Sequence, residues 1–249
     1  MAPLLASLLF LLSLSFSEDL TPKADFVLGK RVPDVVLTTS EGKQVKLSEL
    51  SGGKPVLMSF VYTRCTSSCP VIVQRLKRAL SELGRSDYTV LLVNFDERDS
   101  VSELRDFVKQ RGIKEPNWKV VLARGDELIR LTRAVDFKFY YDEKTDMFAH
   151  PNVLVVVSPD MRVSGYVLGL SYDPDKLSSL IASAASGSIS LNPIKGLLLK
   201  CFRYDPITGT YSIDWSFVAM LLGGSLPLAL MFYFVVFKNV VTGIRRFPA

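Results

Sequence analysis

The sequence predicts an α/β domain of three layers with a mixed central sheet, and three observations carry that prediction. Continuous apolar runs at Pro55–Val61 (PVLMSFV) and Tyr88–Phe95 (YTVLLVNF) have the length and β-rich make-up of strands buried on both faces. Each run is followed by a stretch of helical periodicity, so strand and helix alternate as they do around parallel strands. Two further apolar runs around a turn, and then one last helix, add antiparallel strands to the parallel ones.

Taken in order, VVLTT and QVKL flank Ser40, Glu41 and Gly42 and predict a hairpin at the domain edge. After the first central strand come YTRCTSSCP and then Val73, Leu76, Leu80 and Leu83 on one helical face, ending near Gly84. After the second, Ser100 and Glu103 form a capping-box signature for a helix that ends before Gly112. Trp118–Ala123 reads as a strand and Asp126–Val135 as a helix. Asn152–Ser158 and Val163–Gly169 pair around the Pro159, Asp160 turn, and Asp173 with Pro174 starts the last helix. This order suits a thioredoxin-like fold.

The apolar residues, 48% of 249, are concentrated at the two ends. Residues 1–17, MAPLLASLLFLLSLSFS, read as a signal peptide, with small residues before Glu18. Residues 215–237 carry no charge over a length that suits a helix crossing the roughly 30 Å hydrocarbon core. The expected organisation is therefore an exported domain at 18–186, a turn-rich juxtamembrane connector at 187–214, one transmembrane helix at 215–237 and a basic cytoplasmic tail at 238–249. Lys and Arg flank the apolar span on both sides, so orientation follows from the signal peptide. The expected location is a bacterial cytoplasmic membrane with the soluble domain on its periplasmic or extracellular side. The remaining length holds one domain and leaves no room for a second catalytic one. The net charge of +5 is scattered, and an exported domain meets no nucleic acid.

Cys65 and Cys69 lie four apart where a strand gives way to a helix. Consecutive helical turns at that spacing set Cα atoms about 6 Å apart, within reach of a disulfide, so the pair is either a redox couple or two ligands. The helix N-terminus stabilises thiolate, and Pro70 fits the first turn without loss of a bond. A purely stabilising disulfide closing so short a loop would constrain the unfolded chain only slightly. His150 is the only histidine in the chain, so every step that needs an imidazole has one candidate. Two thiolates and one imidazole form a soft set that suits monovalent copper better than zinc. Asp96 and Asp99 are candidates for orienting His150 or supplying an outer oxygen ligand when copper is divalent, or else for capping the next helix or facing water. Met147 reads as loop packing, and Cys201 receives no role.

YTRCTSSCP after a buried strand, NFDERD after the next, and a histidine opening the strand before PDMRVSG together resemble the Sco/SenC family over residues 25–185. Glu97 stands where that family commonly has proline, and Pro151 where it often has serine. The resemblance implies a thioredoxin-like fold and one copper ion, Cu(I) or Cu(II), held by Cys65, Cys69 and His150. It also implies service to the binuclear copper centre of cytochrome c oxidase. The partners it implies are the copper-site subunit of that oxidase, a copper donor and a thiol reductant. The chain would then be a metallochaperone rather than an enzyme. The alternative is a thiol-disulfide oxidoreductase that reduces the cysteines of the oxidase copper site through Cys65 and Cys69. A peroxidase on the same fold fits the CxxxC spacing poorly, and no oxyanion signature points to a hydrolase.

Overall fold

The computed structural model describes residues 20–187, 202–205 and 210–213, and residue 233. Seven strands form the main sheet: β1 (Val36–Thr39), β2 (Gln44–Lys46), β3 (Val56–Val61), β4 (Thr89–Asn94), β5 (Trp118–Leu122), β8 (Val153–Val157) and β9 (Val163–Leu168), in the spatial order β2-β1-β5-β4-β3-β8-β9. β3, β4 and β5 run parallel, whereas β1 and β8 join antiparallel on either side. The mixed sheet is as the sequence predicts.

Successive strand residues point to opposite faces, and every residue of β3, β4 and β8 is buried. Both faces of the sheet are therefore covered, which gives three layers. The cover comes from α1 (Ala24–Val27), α2 (Leu47–Ser51), α3 (Ser68–Ser81), α4 (Val101–Gln110), α5 (Gly125–Ala134) and α6 (Pro174–Ala185). The predicted start signals do their work. Ser100 Oγ accepts from Glu103 N at 3.2 Å while Ser100 N donates to Glu103 Oε2 at 2.7 Å, the two halves of a capping box. Asp173 caps α6, with Pro174 in its first turn. Gly42, at φ +84°, turns the β1–β2 hairpin in a conformation that L side chains avoid.

The short helices α1 and α2 and two hairpins went unread in the sequence. Between α5 and β8 lies a separate hairpin of β6 (Tyr140–Asp142) and β7 (Met147–Ala149), and within the expected connector β10 (Phe202–Asp205) pairs with β11 (Thr210–Ile213). The signal peptide at 1–17, Cys201, the membrane span at 215–237 apart from Tyr233, and the tail at 238–249 lie outside the described residues. Among the described residues no helix is long and apolar enough to cross a membrane.

The pairing of strands decides what meets at the sheet's end. β3 and β4 are in step, Val61 opposite Asn94, so Tyr62 and Phe95 leave the sheet side by side. β8 runs against β3 with Ser59 opposite Leu154. Each step up β3 is a step back along β8, so the same register carried onward sets His150 level with Thr63, two residues before Cys65.

Candidate metal centre

Cys65 lies in the loop that leaves β3, and Cys69 lies in the first turn of α3. Only the second cysteine is helical, which corrects the expectation that both stand on consecutive turns. They meet nonetheless, because the backbone N–H of Cys69 donates to Cys65 Sγ at 3.3 Å and the loop is fixed by Cys65 N donating to Tyr62 O. Ser68 Oγ stands 3.6 Å from the same sulfur. Both thiols are free and buried, at 2% and 0% exposure.

This geometry splits the pair electrically. The Cys69 thiol, against the cost of burial and with help from the Cys69 N–H and the Ser68 and Ser67 groups, holds the Cys65 thiol down at about 4. Burial, and then the neighbouring Cys65 sulfur, pushes Cys69 well above its ordinary value. The site therefore carries one thiolate and one thiol that donates to it.

His150 is buried among rings. Its imidazole stands 5.2 Å from Phe95, 5.8 Å from Phe137 and 5.9 Å from Tyr62, centre to centre. Burial lowers its affinity for a proton. Nδ1 lies 3.1 Å from Pro151 O, and since a carbonyl only accepts, the ring proton resides on Nδ1. The Nε2 lone pair is thus left for a ligand bond. Tyr62 joins the two halves: its ring packs on His150, and its phenol is held above the ordinary range by burial and by the adjacent Cys65.

Asp96 and Asp99 neither orient His150 nor cap α4, whose cap is Ser100. Both are buried, at 1% and 0%, and both hold the cysteine loop from behind. Asp99 Oδ2 accepts from Thr63 N at 2.8 Å and from Asn94 Nδ2 at 2.7 Å. Asp96 receives Arg64 on one side and a two-pronged Arg98 on the other, at 2.9 and 3.0 Å. Although burial would raise it, the Arg98 and Arg64 bonds keep the Asp96 carboxyl below the usual range. Tyr62, Arg64 and Arg98 are site residues that sequence reasoning missed. The two arginines sit within the quoted motifs, but nothing in spacing says that their charge is spent on buried carboxylates.

The donor types fit a soft monovalent cation, two sulfurs and one neutral imidazole. Their positions are only partly assembled: among the described residues no three histidine, cysteine or acidic side chains are gathered closely enough to hold a metal ion. The cysteines meet each other, while His150 faces Phe95, Phe137 and Tyr62 and must shift to join them. Met147 lies on β7 opposite Asp142.

Comparison with known proteins agrees with this frame. A family model described as the AhpC/TSA family matches residues 28–164. The SCO1 protein homolog of Bacillus subtilis (strain 168) is 24% identical over 165 residues, covering 64% of this chain and 85% of that protein. The crystal structure of a proposed electron transfer protein from Aquifex aeolicus VF5 is 34% identical, with a TM-score of 0.60, covering 64% of this chain and 95% of that one. Arabidopsis thaliana ScoI, solved with copper bound, has the same fold at 22% identity and a TM-score of 0.53, covering 64% of this chain and 99% of that one. The family model spans more than half of the chain, and so the chain belongs to the AhpC/TSA family and resembles Sco proteins in its sequence.

Proposed function

We propose that the chain is a membrane-anchored copper carrier outside the cytoplasm, which takes one copper ion on Cys65, Cys69 and His150. It passes that ion to the copper-site subunit of cytochrome c oxidase as the binuclear centre is assembled. The observation that carries this reading is the pairing of an ionised, buried Cys65 with a thiol one hydrogen bond away and a neutral imidazole whose Nε2 is unprotonated. Copper is the cargo. Ionised sulfur needs no proton removed before it binds, and the remaining thiol gives up its proton as the metal arrives. The Sco/SenC resemblance of the YTRCTSSCP and NFDERD motifs, with which the likeness to the SCO1 homolog agrees, supports the oxidase as the destination. The signal-peptide pattern and the charge-free span at 215–237 support export and anchoring.

The test is copper(I) titration of the reduced chain in competition with a chelator, comparing wild type with His150→Ala and Cys65→Ser. One tightly held copper per chain, weakened by both substitutions, is the expected result. Binding that ignores both substitutions overturns the reading.

The split between a thiolate at Cys65 and a thiol at Cys69 also supports a second reading, dithiol exchange. Cys65 would attack a partner disulfide and Cys69 would then displace the partner's sulfur, leaving the partner reduced and this pair oxidised. That reaction has no use for His150, so full exchange activity in a His150→Ala chain that binds copper poorly separates the two roles.

A further inference from the structure

Cys65, Cys69 and His150 are all buried, so a cation reaches them only if some segment moves. The sheet strands around them are buried and paired along their lengths, which makes them expensive to displace. The hairpin of β6 and β7 is different. It stands outside the main sheet, its strands are three residues each, and Tyr140 and Tyr141 on it are exposed. It also leads directly into His150.

Phe148 packs this hairpin against Tyr62 and Phe95, and its polar tie to the body is Arg98. Its guanidinium forks onto buried Asp96 and reaches Asp146 with Nη1 at 3.3 Å. Its plane covers Tyr141, with the guanidinium carbon 4.4 Å from the ring centre, and approaches Phe148 at 5.3 Å. Among the described residues it makes the only ion pair between the body and residues 140–149. Asp96 is shared, because it also receives Arg64, the residue before Cys65. We propose that Arg98 is a positioning residue that latches the 140–149 hairpin, and with it His150, onto the loop that carries Cys65. Release of the hairpin opens the site, and its return carries His150 back beside that loop.

Lysine would not serve, since one ammonium cannot hold a fork on Asp96, reach Asp146 and cover the Tyr141 ring together. Loss of Arg98 leaves Asp96 with Arg64, so the body keeps its buried charge paired and the effect falls on the hairpin. What the opening admits rests on the copper reading, but the latch itself is measured without copper. Either idea can therefore fail alone.

The experiment uses the full, reduced chain. Alkylation of Cys65 by iodoacetamide, resolved from Cys69 by fragment mass, is followed beside amide exchange across residues 140–149 and across β4. In Arg98→Ala, Cys65 labelling and hairpin exchange are expected to rise together on the order of tenfold, the worth of one charge-assisted contact, with β4 protection unchanged. Asp146→Asn, which removes only the hairpin's end of the ion pair, is expected to move both in the same direction by less. Unchanged labelling and hairpin exchange in both variants, or a β4 protection that falls as far as the hairpin's, overturns the latch.

Discussion

At Cys65 a residue type that is ordinarily a protonated thiol becomes an anion inside a covered site, because the Cys69 thiol donates to it, with the Cys69 N–H and Ser68 adding to the effect. An unfolded cysteine titrates near ~8.5. The folded value is lower, so the stabilisation from this group is complete above that pH, shrinks as pH falls, and is gone below about 4. Denaturant unfolding of the reduced chain at several pH values should therefore show wild type losing ground to Cys65→Ser as the solution is acidified. A stability difference that is flat with pH would sink the assignment of the charge to Cys65. Asp99 makes a second residue-scale prediction. Its carboxylate satisfies Thr63 N and Asn94 Nδ2 at a fully buried position, so Asp99→Ala orphans two donors and should cost about 1–3 kcal/mol in unfolding free energy. The two cysteines and the histidine were legible as types and spacings. The ionisation of one cysteine was legible only as a tendency of helix starts, and the use of Asp96 and Asp99 as anchors of the cysteine loop was not legible at all. Carboxylates choose partners through three-dimensional proximity, which spacing does not encode.

Among elements, α4 shows what local signals can do. Ser100 and Glu103 announce its start in the sequence, and the reciprocal bonds are present. Ser100→Ala should lower stability by about 1 kcal/mol, seen as a shift in denaturation midpoint with an unchanged slope. A larger loss with a changed slope would mean that Ser100 does more than cap. The central strands were equally plain, because strands buried on both faces have no polar alternation to obscure them. The β6–β7 hairpin was missed for the opposite reason. Its strands are only three residues long, and its chain, FKFYYDEKTDMFAH, mixes aromatic and charged residues in a pattern that matches no helix or buried strand. It becomes a hairpin through tertiary support, with Phe148 packed on Tyr62 and Phe95 and Arg98 across its outer side. An element that depends on partners elsewhere in the chain has a weak local signature.

For the whole molecule, the alternation of strand and helix and the closing hairpin predicted the mixed three-layer architecture, and the strand order bears it out. What could not be read was that His150 arrives level with the cysteine loop, since that is fixed by the pairing of β3 with β8, elements far apart in sequence. The proposed export and anchoring predict that the full chain stays with membranes through alkaline washing and that protease added from outside removes the domain that bears Cys65. Release by alkaline wash would sink the anchor, and protection from protease would reverse the orientation. The register of β3 with β8 has a consequence for how this chain tolerates insertion and deletion. One residue added between His150 and Leu154 would shift His150 by a strand step of roughly 3.3 Å and turn it to the opposite face of the sheet. The same residue added at Lys144, in the exposed turn of the 140–149 hairpin, would lengthen only the turn. Length variation among homologous chains should therefore gather at the turn and be absent from the three residues, Pro151, Asn152 and Val153, that separate His150 from Leu154.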